Sequence, residues 1–264
     1  LKSGREADSF PVMIGRVDVG DMARRLNIRG KRRLVERLSA RRGIRRATLF
    51  GAEFELDLGE FIQRQMYFGC FEALESRAVA DYLRPGMTVV DAGANVGFYT
   101  ALAAERCGER GRVIAYEPSP YASARLRAMV ERNRLRQVTV VEAALGDAAG
   151  RGTLYIERDA NHSPSLIRSS DLADTIAVEV RSLDAEAARL GLEKIDLLKL
   201  DVEGYEAQVV SGADELLRAG RIGAVLCELH GVPMGLEQWG LCRSEMLNVR
   251  AEAQFWIRRC QSGA

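Results

Sequence analysis

Five short clusters in this 264-residue chain join residue types that do chemistry, each at the end of an apolar run. The first is Val89-Val90-Asp91-Ala92-Gly93-Ala94-Asn95-Val96-Gly97. Gly93 and Gly97 let the backbone turn tightly and come close to a ligand, with Ala94 and Asn95 carried between them. A dinucleotide-binding turn opens G-x-G-x-x-G with glycine, whereas this chain has Asp91 in that place. A carboxylate there repels a pyrophosphate on the helix N-terminus and favours a ligand that brings positive charge. Strand-to-helix turns need glycine for structure alone, so the acid gives this cluster its chemical meaning.

The second cluster, Tyr116-Glu117-Pro118, puts Glu117 at the spacing after Gly97 usual for the acid that grips a ribose diol. Two hydroxyl donors meeting one carboxylate need no metal. In the third, Glu142-Ala143-Ala144-Leu145-Gly146-Asp147, the small side chain of Ala144 leaves room for a flat adenine, although alanine also suits any core. A cationic ligand with ribose and adenine is S-adenosylmethionine, whose ammonium and sulfonium would face Asp91. The fourth cluster is Lys199-Leu200-Asp201-Val202-Glu203-Gly204-Tyr205-Glu206. Asp201 and Glu203 are candidates for donor contact and proton removal; the alternative is a solvated helix N-terminus, which welcomes acids. The fifth, Cys227-Glu228-Leu229-His230-Gly231, offers His230 as a proton acceptor near neutral pH or as a structurally bonded histidine.

These clusters need elements to hold them. Phe54, Leu56 and Leu58 alternate with acids, as in a half-exposed strand. Residues 60–67 and 71–83 read as helices, the second stopped by Arg84-Pro85-Gly86. Apolar strands at 87–91, 112–116, 138–143, 195–200 and 222–229 then alternate with helices at 98–106, 121–133 and 206–219. This rhythm predicts an α/β fold, a doubly wound and mostly parallel sheet whose ligand lies beyond the strand ends. A polar interval from 147 to 180 interrupts it, with strands at 152–156 and 176–180. Between these, residues 159–170 are small and polar, and a loop here can fold over the mouth of the ligand site. Asn161 and Ser165 are therefore expected to orient a hydroxylated substrate; the plainer alternative is an exposed hairpin tip. Beyond His230 the pattern suggests a helix at 243–249 and a strand at 255–260. No second strand is evident, so the sheet edge is expected to be incomplete.

Composition narrows the classes. Hydrophobic residues at 47% and charged residues at 28% suit a globular protein. The longest apolar candidate, residues 89–104, is interrupted by Asp91 and Asn95 and is too short for a membrane span. Five dispersed cysteines (Cys70, Cys107, Cys227, Cys242, Cys260) without a C-x-x-C pair, and only His162 and His230, give neither a disulfide framework nor a zinc cluster. No metal is assigned. With no signal-peptide pattern, a cytoplasmic location is expected. Residues 1–48 hold 14 Lys+Arg against 5 Asp+Glu. They read as a basic, helical extension whose charges form a solvated face, and no aromatic residue interleaves the basic run from Arg24 to Arg46 as single-strand binders require. No specific nucleic acid is expected. Residues 49–86 lead into the ligand-binding domain at 87–264.

Taken together, Asp91-Ala-Gly-Ala-Asn-Val-Gly97, Glu117-Pro118, the stretch from Asn161 to Ser165, and Leu198-Lys-Leu-Asp-Val-Glu-Gly-Tyr-Glu206 resemble the FkbM-type methyltransferases. So does Gln63-Arg-Gln-Met-Tyr-Phe68 upstream, and the likeness spans roughly residues 49–231. The resemblance implies a class I, Rossmann-like methyltransferase fold and S-adenosylmethionine as donor. It further implies O-methylation of a sugar or natural-product hydroxyl, a small-molecule or glycan acceptor. Asp201, Glu203 and His230 are the candidate bases. The rivals are an RNA methyltransferase guided by the basic segment, a nicotinamide-linked oxidoreductase, which Asp91 disfavours, and a non-catalytic donor-binding module.

Overall fold

The computed structural model describes residues 43–156, 164–167, 174–228, 235–244 and 253–258. Five parallel strands form its centre: β3 (Thr88–Ala92), β4 (Arg112–Tyr116), β5 (Val138–Val141), β9 (Ile195–Leu200) and β10 (Ile222–Glu228). β3, β4, β9 and β10 are short, mostly apolar runs buried on both faces, as parallel strands under helices must be, whereas the edge strand β5 fully buries only Val141. Two antiparallel strands, β12 (Ala253–Arg258) and β11 (Leu241–Arg243), close the far edge, giving the order β11-β12-β10-β9-β3-β4-β5. β3 and β9 run parallel, but the strand order reverses between them, and the carboxyl ends of these neighbours form the switch point where ligands bind.

Successive side chains face opposite sides of the sheet. Val89, Val113 and Leu197 join one apolar cluster with α3 (Phe98–Cys107) and α4 (Pro120–Arg132). Val90, Ile114 and Leu198 join the other. That second cluster takes in α5 (Leu183–Leu190), α6 (Glu206–Ser211) and α7 (Asp214–Arg218). The expected doubly wound α/β architecture is therefore present.

Before the core stands a smaller unit: hairpin β1 (Ile44–Leu49) and β2 (Ala52–Asp57), then α1 (Phe61–Phe68) and α2 (Ala73–Tyr82). It docks on α3 and α4. Asn133, at the end of α4, accepts from the Glu53 amide at 2.8 Å and donates to the Glu53 carbonyl at 2.9 Å. Between β5 and β9 lies a three-stranded sheet of β6 (Ala144–Gly146), β8 (Asp174–Ser182) and β7 (Gly150–Ile156).

Four expectations are corrected. Residues 44–48, read as part of a helical basic extension, are strand: Ala47 and Leu49 turn inward while Arg45 and Arg46 face water. The strand read at 138–143 stops at Val141, and Ala144 onward leaves to pair with β8. The helix read at 206–219 breaks at Gly212, where a side chain would come 1.9 Å from the Gly146 carbonyl oxygen. The sheet edge is complete. Its missing strand is the three-residue β11, which occupies Arg243 where a helix was expected to begin. The basic segment before Gly43 lies outside the described residues. Among the described residues no helix is long and apolar enough to cross a membrane.

Candidate active site

A cavity of about 360 Å³ opens at the carboxyl ends of β3, β4 and β9. Its floor is the loop after β3. Gly93 has φ +74°, and a methyl group there would come 1.8 Å from the Asp201 carbonyl oxygen, so the β3 and β9 loops touch through the missing side chain. The amides of Gly93 and Ala94 both donate to the Tyr116 carbonyl at 3.0 Å. Asn95 sits in the left-handed region at φ 50°, as does Glu203 across the cavity at φ 53°. Strained non-glycine backbone of this kind gathers at functional sites, and both residues line the cavity.

Glu117 reaches the cavity from the end of β4. One carboxylate oxygen accepts from the Asn95 amide at 2.7 Å and the other from the Ser119 amide at 2.8 Å. Burial pushes its pKa up to about 7 although those amides pull it down. A carboxylate fixed by two backbone donors, with lone pairs left over, is a rigid acceptor for two hydroxyls. Pro118 and Ala144 line the same cavity, as do Gly93, Ala94, Asn95, Asp201 and Glu203.

Two expected contacts lie behind the wall instead. Asp91 is completely buried and does not border the cavity. Its Oδ2 accepts from Thr100 at 2.6 Å, while Oδ1 has no hydrogen-bond partner and lies 3.7 Å from the Lys199 ammonium. Burial raises its pKa, with Lys199 and Thr100 opposing. Gly97 also stays off the cavity; a side chain there would strike Met129 and Leu126 of α4 at 2.6 and 2.7 Å. Its glycine serves helix packing.

Ser165 is likewise reassigned. Its hydroxyl donates to the Glu203 carbonyl at 2.7 Å and accepts from the Ile167 amide at 2.9 Å, and its backbone pairs with Tyr155. It fastens the segment after β7 to the β9–α6 turn, and its neighbours Pro164 and Leu166 face the cavity. Asn161 and His230 lie outside the described residues.

Sequence reading passed over the groups that gather round Asp201. Glu72, immediately before α2, and Glu228, at the end of β10, bring carboxylate oxygens within 4.8 Å of one another and of Asp201. Tyr99 donates to Glu72 at 2.5 Å. Burial, then the charge of Asp201, raises Glu72 to about 7 and Glu228 to about 9. Carboxylates this close offer a cation hard oxygen donors; here the cation beside Asp201 is the Lys199 ammonium, at 3.1 Å. Glu228 could have been found from its place at a strand end. Glu72 carried no signal, because residues 71–83 read as uninterrupted helix.

Strand order and the place of the cavity together define a class I methyltransferase fold. Residues 91–260 match the family described as the methyltransferase FkbM domain, and the chain belongs to that family. It is 32% identical over 201 residues to the 31-O-demethyl-FK506 methyltransferase FkbM of Streptomyces tacrolimicus, covering 64% of this chain and 76% of that protein. It is 29% identical over 154 residues to the 2-O-methyltransferase NoeI of Sinorhizobium fredii, covering 52% of this chain and 62% of that one. The match to Methyltransferase 1 of Beauveria bassiana, 29% identical over 147 residues, covers 48% of this chain and 58% of that protein's length. Among solved structures, the FkbM methyltransferase of Methylobacillus flagellatus is similar with a TM-score of 0.44 at 15% identity, over 86% of this chain and 59% of that one. The fold assignment rests on the strand order rather than on that likeness.

Proposed function

We propose that this chain transfers the methyl group of S-adenosylmethionine to a hydroxyl oxygen of a small molecule or glycan. The donor fits the residues present: Glu117 is held by two amides as a diol acceptor, and the cavity floor is cut back to hydrogen at Gly93. Pro118 and Ala144 offer a flat, unhindered flank for adenine. When bound, the donor supplies a methyl group already activated on sulfonium. What remains for the chain is to align the acceptor oxygen and take its proton.

The observation that carries the O-methyl reading is the meeting of Glu72, Asp201 and Glu228 beside the cavity. An alcohol must lose its proton as its oxygen is methylated, and a base near neutral pKa does this best. Glu72, raised to about 7, is matched to that task, and Asp201 carries the cluster to the cavity wall. The test is calorimetric titration with S-adenosylmethionine, followed by transfer of labelled methyl to a panel of hydroxylated acceptors. Donor binding with label on an oxygen supports the reading. Absence of donor binding, or label found only on nitrogen or carbon, overturns it.

A further inference from the structure

Lys199 lies near the end of β9, directly across from Asp91 of β3 in the strand register. Its side chain is 6% exposed, yet it reaches the cavity floor. Nζ donates to the Gly93 carbonyl at 3.0 Å and to Asp201 Oδ2 at 3.1 Å. It stands 3.7 Å from Asp91 Oδ1, the buried oxygen with no hydrogen-bond partner, and 5.4 Å from the centre of the Tyr99 ring. Carboxylates approach it from several elements: Asp91 on β3, Glu72 before α2, Glu117 after β4 and Asp201 after β9, with Glu228 of β10 beside Asp201 and the neutral Tyr99 of α3 alongside.

Stability alone is a poor reason to keep such an ion. Buried ion pairs seldom stabilise a fold more than apolar side chains of the same size would, and methionine has nearly the length of lysine. What methionine lacks is the ability to hold Gly93 and Asp201 at once. We propose that Lys199 is a positioning residue of the donor site, fixing through the Gly93 carbonyl and the Asp201 carboxylate the two loops that close on the donor. This role rests on the donor reading given above. Its charge acts on the same site, since burial raises the pKa of Glu117, Asp91 and Glu72 and Lys199 opposes the rise in each.

The experiment is calorimetric titration of the full chain with S-adenosylmethionine, from about pH 5.5 to 8.5, on the parent, Lys199→Met and Lys199→Arg. The methionine variant should bind about tenfold more weakly at neutral pH, as loss of a charge-assisted bond implies. The pH at which donor affinity begins to fall, near 7 in the parent, should move upward in Lys199→Met and stay in place in Lys199→Arg. A merely structural lysine would lower the melting temperature and leave that midpoint alone. Where methionine prevents folding, Lys199→Gln removes the charge with milder packing change and gives the same comparison. A neutral variant that binds within about threefold of the parent, with an unmoved midpoint, overturns the role. So does an arginine variant whose midpoint shifts as methionine's does. A parent that fails to bind the donor at any pH overturns the donor reading itself, a result distinct from both.

Discussion

Glu117 accepts a 2.7 Å hydrogen bond from the amide of Asn95, 22 residues earlier in the chain, so the acid at the end of β4 is aimed by the loop after β3. With its pKa near 7, the free protein holds Glu117 partly protonated at neutral pH. Donor hydroxyls need the ionised form. Affinity for S-adenosylmethionine should therefore be full above pH 7 and fall on acidification, towards about tenfold per pH unit. Stability of the free chain carries the opposite sign. Because the folded pKa is raised from 4.5, this group withdraws stability as pH rises from 4.5 to about 7. The donor-induced rise in melting temperature should thus be larger at pH 8 than at pH 5.5. An equal rise at both would remove Glu117 from the donor site.

Gly93→Ala should abolish donor binding, because its new methyl group would meet main chain at Asp201 that cannot swing aside. Gly150→Ala, with nothing within 4 Å and no unusual φ, is the matched control and should bind as the parent does. Indistinguishable calorimetric curves for the two variants would show that the β3 loop is not the floor of the site.

Thr100→Val keeps volume and removes the single hydrogen bond to Asp91. Both Asp91 oxygens would then be buried without a hydrogen-bond partner, beside Lys199 alone. The cost should be about 2 kcal/mol in urea unfolding, the range for a bond to a buried charged group. A loss below about 0.5 kcal/mol would mean that Asp91 is already neutral or rearranges freely.

Glu72→Gln separates chemistry from binding. Donor affinity should stay within about threefold of the parent while methyl transfer to the best panel acceptor drops by about 10²–10⁴-fold, the usual contribution of a base. Unchanged transfer would pass the proton to Asp201 or Glu228.

The central strands were legible because each is a continuous apolar run ending in a chemical cluster; β4 was read to the residue at Arg112–Tyr116. Helix α5, just after the polar interval, was missed because its inner face carries only Leu183, Ala187 and Leu190 as apolar marks, with the charged Glu186 buried among them. Strand β11 is three residues long and has no period to detect. In the site, Glu117 was found by spacing and its chemistry is local. Asp91 was placed on the ligand because its type and position fit, but whether a strand-end acid points out or under depends on partners such as Thr100 and Lys199, which only the sheet brings near. Glu72 belongs to another part of the chain and joins Asp201 through tertiary packing alone.

The grip of Asn133 on Glu53 reaches main-chain atoms, so it does not depend on which side chain stands at position 53. The unit it anchors supplies Phe61, Ile62, Met66 and Phe71 to one wall of the cavity, while the core strands supply the floor. Phe61 and Ile62 can therefore change without touching that main-chain grip, whereas Phe71, edge-on to Phe98 of α3, and the buried Met66 are part of the mooring. Under the reading proposed above, those two positions can vary with the acceptor while the floor that would hold the donor stays as it is.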